Sequence, residues 1–217
     1  MAPETATGTG QPGRDCPFCP RLVAFRHENR LRLPHCHNAP VPSFGPLHAR
    51  LLIVGLTPGL KGANCSGRPF TGDHAGDLLY ATLLKVGLAS GGYGRHAEDG
   101  LRLEGVRITN AVRCVPPQNK PEPIEIRTCN AFLAAEIAAM PALQVVLALG
   151  SIAHGAVLSA AGLRKSHAAF RHGALHGLPS GLTLADSYHC SRYNTNTNRL
   201  TTTMFESVVG ALAERLR

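Results

Sequence analysis

The stretch Leu51–Asp73, LLIVGLTPGLKGANCSGRPFTGD, decides how the chain is read. Leu51–Val54 is a short, unbroken apolar run, the pattern of a strand buried on both faces of a parallel sheet. It passes into a long, partly cationic loop with four glycines (Gly55, Gly59, Gly62 and Gly67) that ends on Phe70 and the carboxylate of Asp73. Glycines let the backbone approach a ligand closely, so the loop invites a phosphate-binding reading. Its spacing rules that out. A P-loop needs GxxxxGK followed by a hydroxyl residue, and neither requirement is met after Gly55. A dinucleotide fingerprint needs GxGxxG opening directly into a helix, which is also missing. A flat ring and a carboxylate beside a cleft suit a planar heterocycle better than a triphosphate. Alone, the same two residues serve as well for a core phenylalanine and a helix cap.

Three further apolar runs, Val106–Thr109, Val145–Leu149 and Leu182–Ala185, repeat the buried-strand pattern. Helical spacing lies between and after them. Asp77–Val86 stops at Gly87, Ile124–Met140 is closed by Pro141, Ser151–Leu158 follows the third strand, and Thr201–Leu216 carries Phe205, Val208, Val209 and Leu212 on one face. This alternation predicts a three-layer α/β sandwich, with a central, mostly parallel four-stranded sheet flanked by helices. No internal repeat or linker divides the chain, so residues 15–217 read as one domain behind a polar, disordered tail over 1–14. In open parallel sheets, ligands bind beyond the carboxyl ends of the strands. The unusual residue clusters occupy Gly55–Asp73, Asn110–Pro123 and Ser187–Asn198, three of the four segments leaving those ends. They are expected to converge.

At 217 residues and 44% apolar content the chain can bury a full core. Its 22 Lys+Arg against 14 Asp+Glu give a net charge of +8, which favours a polyanionic partner, nucleic acid being the commonest. Many basic proteins nevertheless act on small molecules. No segment approaches the roughly 20 apolar residues of a membrane span, and the first residues lack the apolar core of a secretion signal. The expected location is the cytoplasm, where thiols stay reduced.

That compartment bears on the seven cysteines. Cys16 and Cys19 form a CxxC, and Cys114 and Cys129 bracket CVPPQNKPEPIEIRTC. Paired thiolates grip one metal centre, and two more complete a tetrahedral set. A redox CxxC, scattered core cysteines and disulfides are the competing readings. Disulfides are disfavoured by compartment, and a redox CxxC by its position after a polar tail. Pattern alone does not separate iron–sulfur from zinc, and Cys36, in HCH, is another candidate ligand.

Asn110 stands just past a buried strand, where its amide offers one donor and one acceptor to a nucleobase edge. A lone asparagine there is also a common turn former. The segment SYHCSRYNTNTNR supplies His189, Arg192 and Tyr193, able to bond a substrate carbonyl, contact phosphate or wedge between bases. A surface loop of turn-forming asparagines is the plain alternative.

Together, GRPFTGD, ITNAVRCVPPQNKPEP…C, VVLALGSIAH and HCSRYNT, behind the Cys16/Cys19 pair, resemble the iron–sulfur uracil-DNA glycosylases over nearly the whole chain. GLTPG, GANCSGRPFTGD and HCSRYNTNTNRLT resemble the family 5 branch rather than family 4, which carries an acidic residue where this chain has Leu56. Cys190 departs from the proline that many relatives place after the histidine. The resemblance implies a [4Fe-4S] cluster on Cys16, Cys19, Cys114 and Cys129, acting as a staple. It implies catalytic roles for Asp73, His189 and Asn110, and substrate binding by Gly55, Phe70, Asn110, His189, Arg192 and Asn194. Phe70 would stack on a flipped base, Asn110 read its edge, His189 face its carbonyl, and Arg192 and Asn194 hold the loop on the DNA backbone. Asp73 would orient water and stabilise the cationic sugar. No lysine is placed for Schiff-base attack, so the implied enzyme is monofunctional; it is expected to be a monomer acting on DNA that contains uracil, and the resemblance adds hypoxanthine and some damaged pyrimidines to its range. Rival readings are a non-catalytic nucleic-acid-binding protein with a structural four-cysteine metal centre, and a redox enzyme whose cluster carries electrons.

Overall fold

The structure is a computed structural model that describes residues 10–217. Its strands are β1 (Leu51–Gly55), β2 (Ala89–Ser90), β3 (Arg102–Leu103), β4 (Val106–Asn110), β5 (Val145–Leu149), β6 (Leu175–Gly177) and β7 (Thr183–Ser187). The helices are α1 (Pro20–Arg32), α2 (Ala63–Ser66), α3 (His74–Lys85), α4 (Pro123–Ala138), α5 (Ser151–Ala160), α6 (Arg192–Asn196) and α7 (Thr202–Arg215).

The central sheet runs β4-β1-β5-β7-β6, and β2 and β3 form a separate small hairpin pair. The four strands expected from apolar runs are all present and pair in parallel. The fifth, β6, joins β7 antiparallel at the edge. Its three residues are exposed or half-exposed, so it leaves no apolar signature to read. Along β1, alternate side chains enter two cores, as the pleat requires. Leu51 and Ile53 pack with Leu79, Leu83, Phe205 and Val209 of α3 and α7. Leu52 and Val54 pack with Leu133, Ala153 and Val157 of α4 and α5. Covered on both faces, the sheet is the middle layer of an α/β/α sandwich.

Local chemistry sets the helix starts. α3 begins at His74, three residues ahead of the expected Asp77, because Asp73 Oδ1 accepts the Gly76 N–H at 3.1 Å as an N-cap. Glu122 and Glu125 form a capping box at α4, with Pro123 in its first turn. Helix α1 carries no apolar stripe to announce it in the sequence: beside Leu22, its buried residues are the polar Arg26 and Asn29.

Of the tail read over residues 1–14, the first nine fall outside the described residues. Beyond them, Gln11 Oε1 accepts the Ser43 N–H at 2.9 Å, and the Arg14 carbonyl accepts from Arg30 Nη2 at 3.3 Å.

A buried ionic network then pins the loop leaving β4. Glu136 on α4 takes Arg107 Nε at 2.7 Å and also pairs with Arg113, whose Nη1 donates to Ser43 Oγ at 2.7 Å. Burial pushes the Glu136 carboxyl up, but Arg113 and Arg107 outweigh it and hold the group below its ordinary range. Removing one partner from such a set leaves an uncompensated buried charge. The arrangement therefore ties Asn110–Cys114 firmly to α4.

Candidate active site

The parallel register sets Gly55 beside Asn110 and Leu149 beside Ser187. The loops leaving these strands thus start from one end of the sheet. An inner cavity there is lined by Thr57, Gly59, Ala63, Phe70, Asp73, Ala75, Asn110 and His189. It shares Asp73 and His189 with an outer cleft of about 490 Å³, which also touches Leu56, Asn119, Ser191 and Arg192. Asp73, Asn110, His189 and Phe70 are therefore brought together, and Arg192 stands at the cleft wall.

Gly55 has a steric reason to be glycine: a Cβ built there falls onto Asn110 Oδ1 and lies 2.5 Å from Phe70 Cζ. Phe70 holds a left-handed φ of +57°, a strained state for a bulky residue. Its carbonyl accepts from the Tyr93 hydroxyl at 3.3 Å, and its ring lies 5.9 Å from the His189 ring with planes 27° apart. Asn110 is buried, and its Oδ1 has no hydrogen-bond partner. Asp73 caps α3 through Oδ1, while Oδ2 faces Gly59 and Gly62 so closely that neither tolerates a side chain without movement. Burial holds the His189 imidazole below its ordinary 6.5, opposed in part by the charge of Asp73.

The outer loop is self-supporting. Asn194 Nδ2 donates to the His189 carbonyl at 2.8 Å, so this amide clamps the loop's own backbone. Ser191 Oγ caps α6, and His74 Nε2 lies 2.9 Å from Thr195 Oγ1, linking α6 to the start of α3. Tyr193 is 72% exposed. Arg68, the cation of GRPFTGD, is committed internally instead: it grips Asp99 with two bonds of 2.8 and 2.6 Å and lies over the rings of Phe44 and Tyr80. Nothing in the local sequence points from Arg68 to Asp99.

The model of the uracil DNA glycosylase superfamily matches residues 42–213, a span that holds every residue of the cavity. The chain belongs to the uracil DNA glycosylase superfamily. Within it, the chain is 48% identical over 199 residues to the Type-5 uracil-DNA glycosylase of Thermus thermophilus, covering 89% of this chain and 90% of the relative. It is 40% identical over 201 residues to the Type-5 enzyme of Mycobacterium bovis, covering 89% and 75%. The Type-4 enzyme of Archaeoglobus fulgidus is 34% identical over 114 residues, covering 52% and 49%. The Type-5 branch is thus the nearer one, as the motifs around Leu56 and Asp73 imply.

Beside this uracil DNA glycosylase core, Cys16, Cys19, Cys114 and Cys129 converge around Leu22, Val112 and Phe132, where α1 meets the β4 loop and α4. All four are free thiols. Burial and neighbouring cysteines push Cys19 and Cys114 up to about 12, and burial also raises Cys129. Arg26 Nη1 donates to Cys114 Sγ at 3.8 Å and the Arg113 N–H to Cys129 Sγ at 3.4 Å, donors suited to charged sulfur. The donor set therefore fits a thiolate-bound metal group.

Cys36 is not a fifth ligand. It is disulfide-bonded to Cys65 of α2, contrary to the expectation from compartment, because the turn after α1 lies against the glycine-rich loop. The His37 and Asn38 N–H groups donate to the Cys65 and Asn64 carbonyls at 3.1 and 3.2 Å, and Asn64 Nδ2 donates to Asn38 Oδ1 at 2.9 Å. With a sequence separation of 29 between the two cysteines, only the folded chain makes them neighbours.

Proposed function

We propose that this chain is a monofunctional DNA glycosylase that hydrolyses the N-glycosidic bond of uracil in DNA and leaves an abasic site. The observation that carries the reading is the buried, partnerless Asn110 Oδ1 at the inner cavity. A buried acceptor left unmade costs about 1–3 kcal/mol, and the N–H that uracil presents between its two carbonyls supplies the missing donor, while the amide NH₂ meets the adjacent carbonyl. Cytosine offers a lone pair at that position and leaves Oδ1 unpaired. Hypoxanthine presents the same N–H beside a carbonyl, which extends the range to that base.

The flipped base stacks on Phe70, and Gly55 leaves space for its edge. Asp73 Oδ2 orients a water molecule for attack on the sugar C1′ and opposes the positive charge that develops there. A carboxylate about 4 Å from a unit charge contributes roughly 4 kcal/mol at an effective dielectric of about 20, about a thousandfold in rate. His189, held neutral by burial, donates one hydrogen bond to the carbonyl of the departing anionic base, an electrostatic contribution from the other side. Water adds to C1′, the bond to the base breaks with its electron pair on the base, and a proton from water ends on the product. Arg192 and Tyr193 hold the gap in the stack, an extrusion that costs a few kcal/mol. Asn194 keeps the His189 loop in shape, and the net charge of +8 favours the phosphate backbone.

Cys16, Cys19, Cys114 and Cys129 would hold a [4Fe-4S] cluster. When bound, the cluster supplies a covalent tie between α1, the β4 loop and α4. No helix among the described residues is long and apolar enough to cross a membrane. The reading takes residues 15–217 as a single catalytic domain, working as a monomer in the cytoplasm.

The test is base release from single- and double-stranded oligonucleotides carrying uracil or hypoxanthine, with Asp73→Asn as control. Free uracil and an alkali-labile abasic site are expected from the wild type and not from the variant. Tight DNA binding without base release from any substrate would turn the assignment to a non-catalytic binding protein.

A further inference from the structure

Near the edge of the sheet away from β4, Asp186 on β7 is fully buried and surrounded by donors. Its Oδ1 lies 2.7 Å from His154 Nδ1, its Oδ2 lies 2.9 Å from His176 Nε2, and the Arg171 N–H donates to Oδ2 at 3.2 Å. His154, buried on α5, has its other ring nitrogen, Nε2, 3.0 Å from the Ala168 carbonyl. A carbonyl only accepts, so Nε2 carries the hydrogen. A neutral imidazole then aims the Nδ1 lone pair at a carboxylate oxygen, two acceptors facing each other at hydrogen-bond distance. Something positive has to lie between them, and a proton and a metal ion are the two candidates.

We infer that His154, His176 and Asp186 form a binding site for one zinc ion that ties α5, β6 and β7 together. The three donor atoms all lie within 4.8 Å of one another. Two imidazoles and a carboxylate suit zinc, whose fourth position takes water. The surroundings are those of a ligating histidine: its second N–H is fixed on a backbone carbonyl, and the ligating carboxylate is itself hydrogen-bonded. Zinc–ligand bonds of about 2.0–2.1 Å meeting at a tetrahedral angle hold their donors about 3.3 Å apart, so with Oδ1 as the ligating oxygen its 2.7 Å pair with His154 opens by about half an ångström when the ion enters, and His176 Nε2 turns from Oδ2 to the ion. His176, on the edge strand and partly exposed, gives the ion a way in. Asp186 stands three residues before His189, and the His154 backbone N–H donates to the Gly150 carbonyl at 3.0 Å, while the Gly150 N–H donates to the Ser187 carbonyl at 2.8 Å. The ion therefore sits under the His189 loop without sharing a residue with the cavity.

The test uses iron-loaded protein, so that the four thiols are occupied, stripped with a chelator and titrated with zinc alone. One zinc per chain is expected in the wild type. His176→Ala, at an exposed edge where refolding is undemanding, should weaken zinc binding at least about tenfold while the visible absorbance of the iron centre is retained. Cobalt(II) in place of zinc should give the d–d absorption of a tetrahedral nitrogen- and oxygen-ligated ion, absent in the variant. No zinc uptake by the wild type, or equal uptake by both proteins, overturns the proposal and leaves a proton between His154 and Asp186.

Discussion

At Asp73, Oδ1 caps α3 on the Gly76 N–H while Oδ2 faces Gly59 and Gly62 inside the cleft. Two substitutions separate these tasks. Asp73→Asn keeps an acceptor for the cap and loses the charge, so single-turnover base release should fall by about two to three orders of magnitude with the melting temperature nearly unchanged. Asp73→Ala should lose the same rate and, in addition, about 1 kcal/mol of stability from the missing cap. Equal base release by Asp73→Asn and wild type would remove Asp73 from the chemistry. For His189 the sign follows from burial, which lowers its folded pKa below the ordinary 6.5. As pH falls through 6.5 the unfolded chain takes up a proton first, so this group's stabilisation, complete above that pH, erodes toward acid. The neutral ring persists further into acid in the folded enzyme. The acid limb of the kcat/KM profile should therefore lie below pH 6.5 wherever His189 governs it, and a limb above 6.5 would contradict the assignment.

Among the elements, the Gly59–Asp73 loop is the one whose support is least visible in its own residues. It is clamped by Cys36 and Asn38 from the turn after α1, by Asp99 through Arg68, and by Tyr80, whose hydroxyl donates to the Pro69 carbonyl at 2.5 Å. The disulfide closes a loop of about 30 residues (sequence separation 29), which in the chain-entropy account contributes roughly 3–4 kcal/mol. The Cys36→Ser/Cys65→Ser double variant should unfold at correspondingly lower denaturant; the unfolding midpoint under non-reducing conditions decides it. Gly55→Ala at the end of β1 is expected to push Phe70 and Asn110 apart and to reduce uracil release more than it reduces stability. The strand and helix positions follow from apolar periodicity because β1, β4, β5 and β7 are buried runs. Helix α1 and strand β6 escape it, one burying polar residues and the other burying almost nothing.

Across the whole molecule, charge and the thiol centre make separate demands. Binding to undamaged DNA should weaken steeply as salt rises, because a net charge of +8 is directed at a polyanion; a flat salt profile would count against a phosphate-tracking surface. Cys129→Ser removes a buried thiol of the proposed cluster site, where α4 meets the β4 loop and the N-terminal segment. It should yield colourless protein with a lowered melting temperature, read from visible absorbance and thermal denaturation together. The convergence of three distant loops was legible before any coordinates, because a parallel sheet sends its strand ends to one side. Asn110, His189 and Cys114 were legible because each lies at or within a few residues of a strand end, and Cys16 and Cys19 by their paired spacing, whereas Asp73 and Cys129 were read from the motifs GRPFTGD and CVPPQNKPEPIEIRTC. By itself, then, the sequence determined the layered α/β architecture through local periodicity, and the branch of the superfamily and the candidate residues through short motifs that resemble a known family. Only the tertiary structure decided the Cys36–Cys65 bond, the Arg68–Asp99 and Glu136 networks, the orphaned Asn110 oxygen and the His154–Asp186–His176 cluster. Each depends on which distant side chains are buried against one another, and that pairing is set by three-dimensional packing rather than by neighbours along the chain.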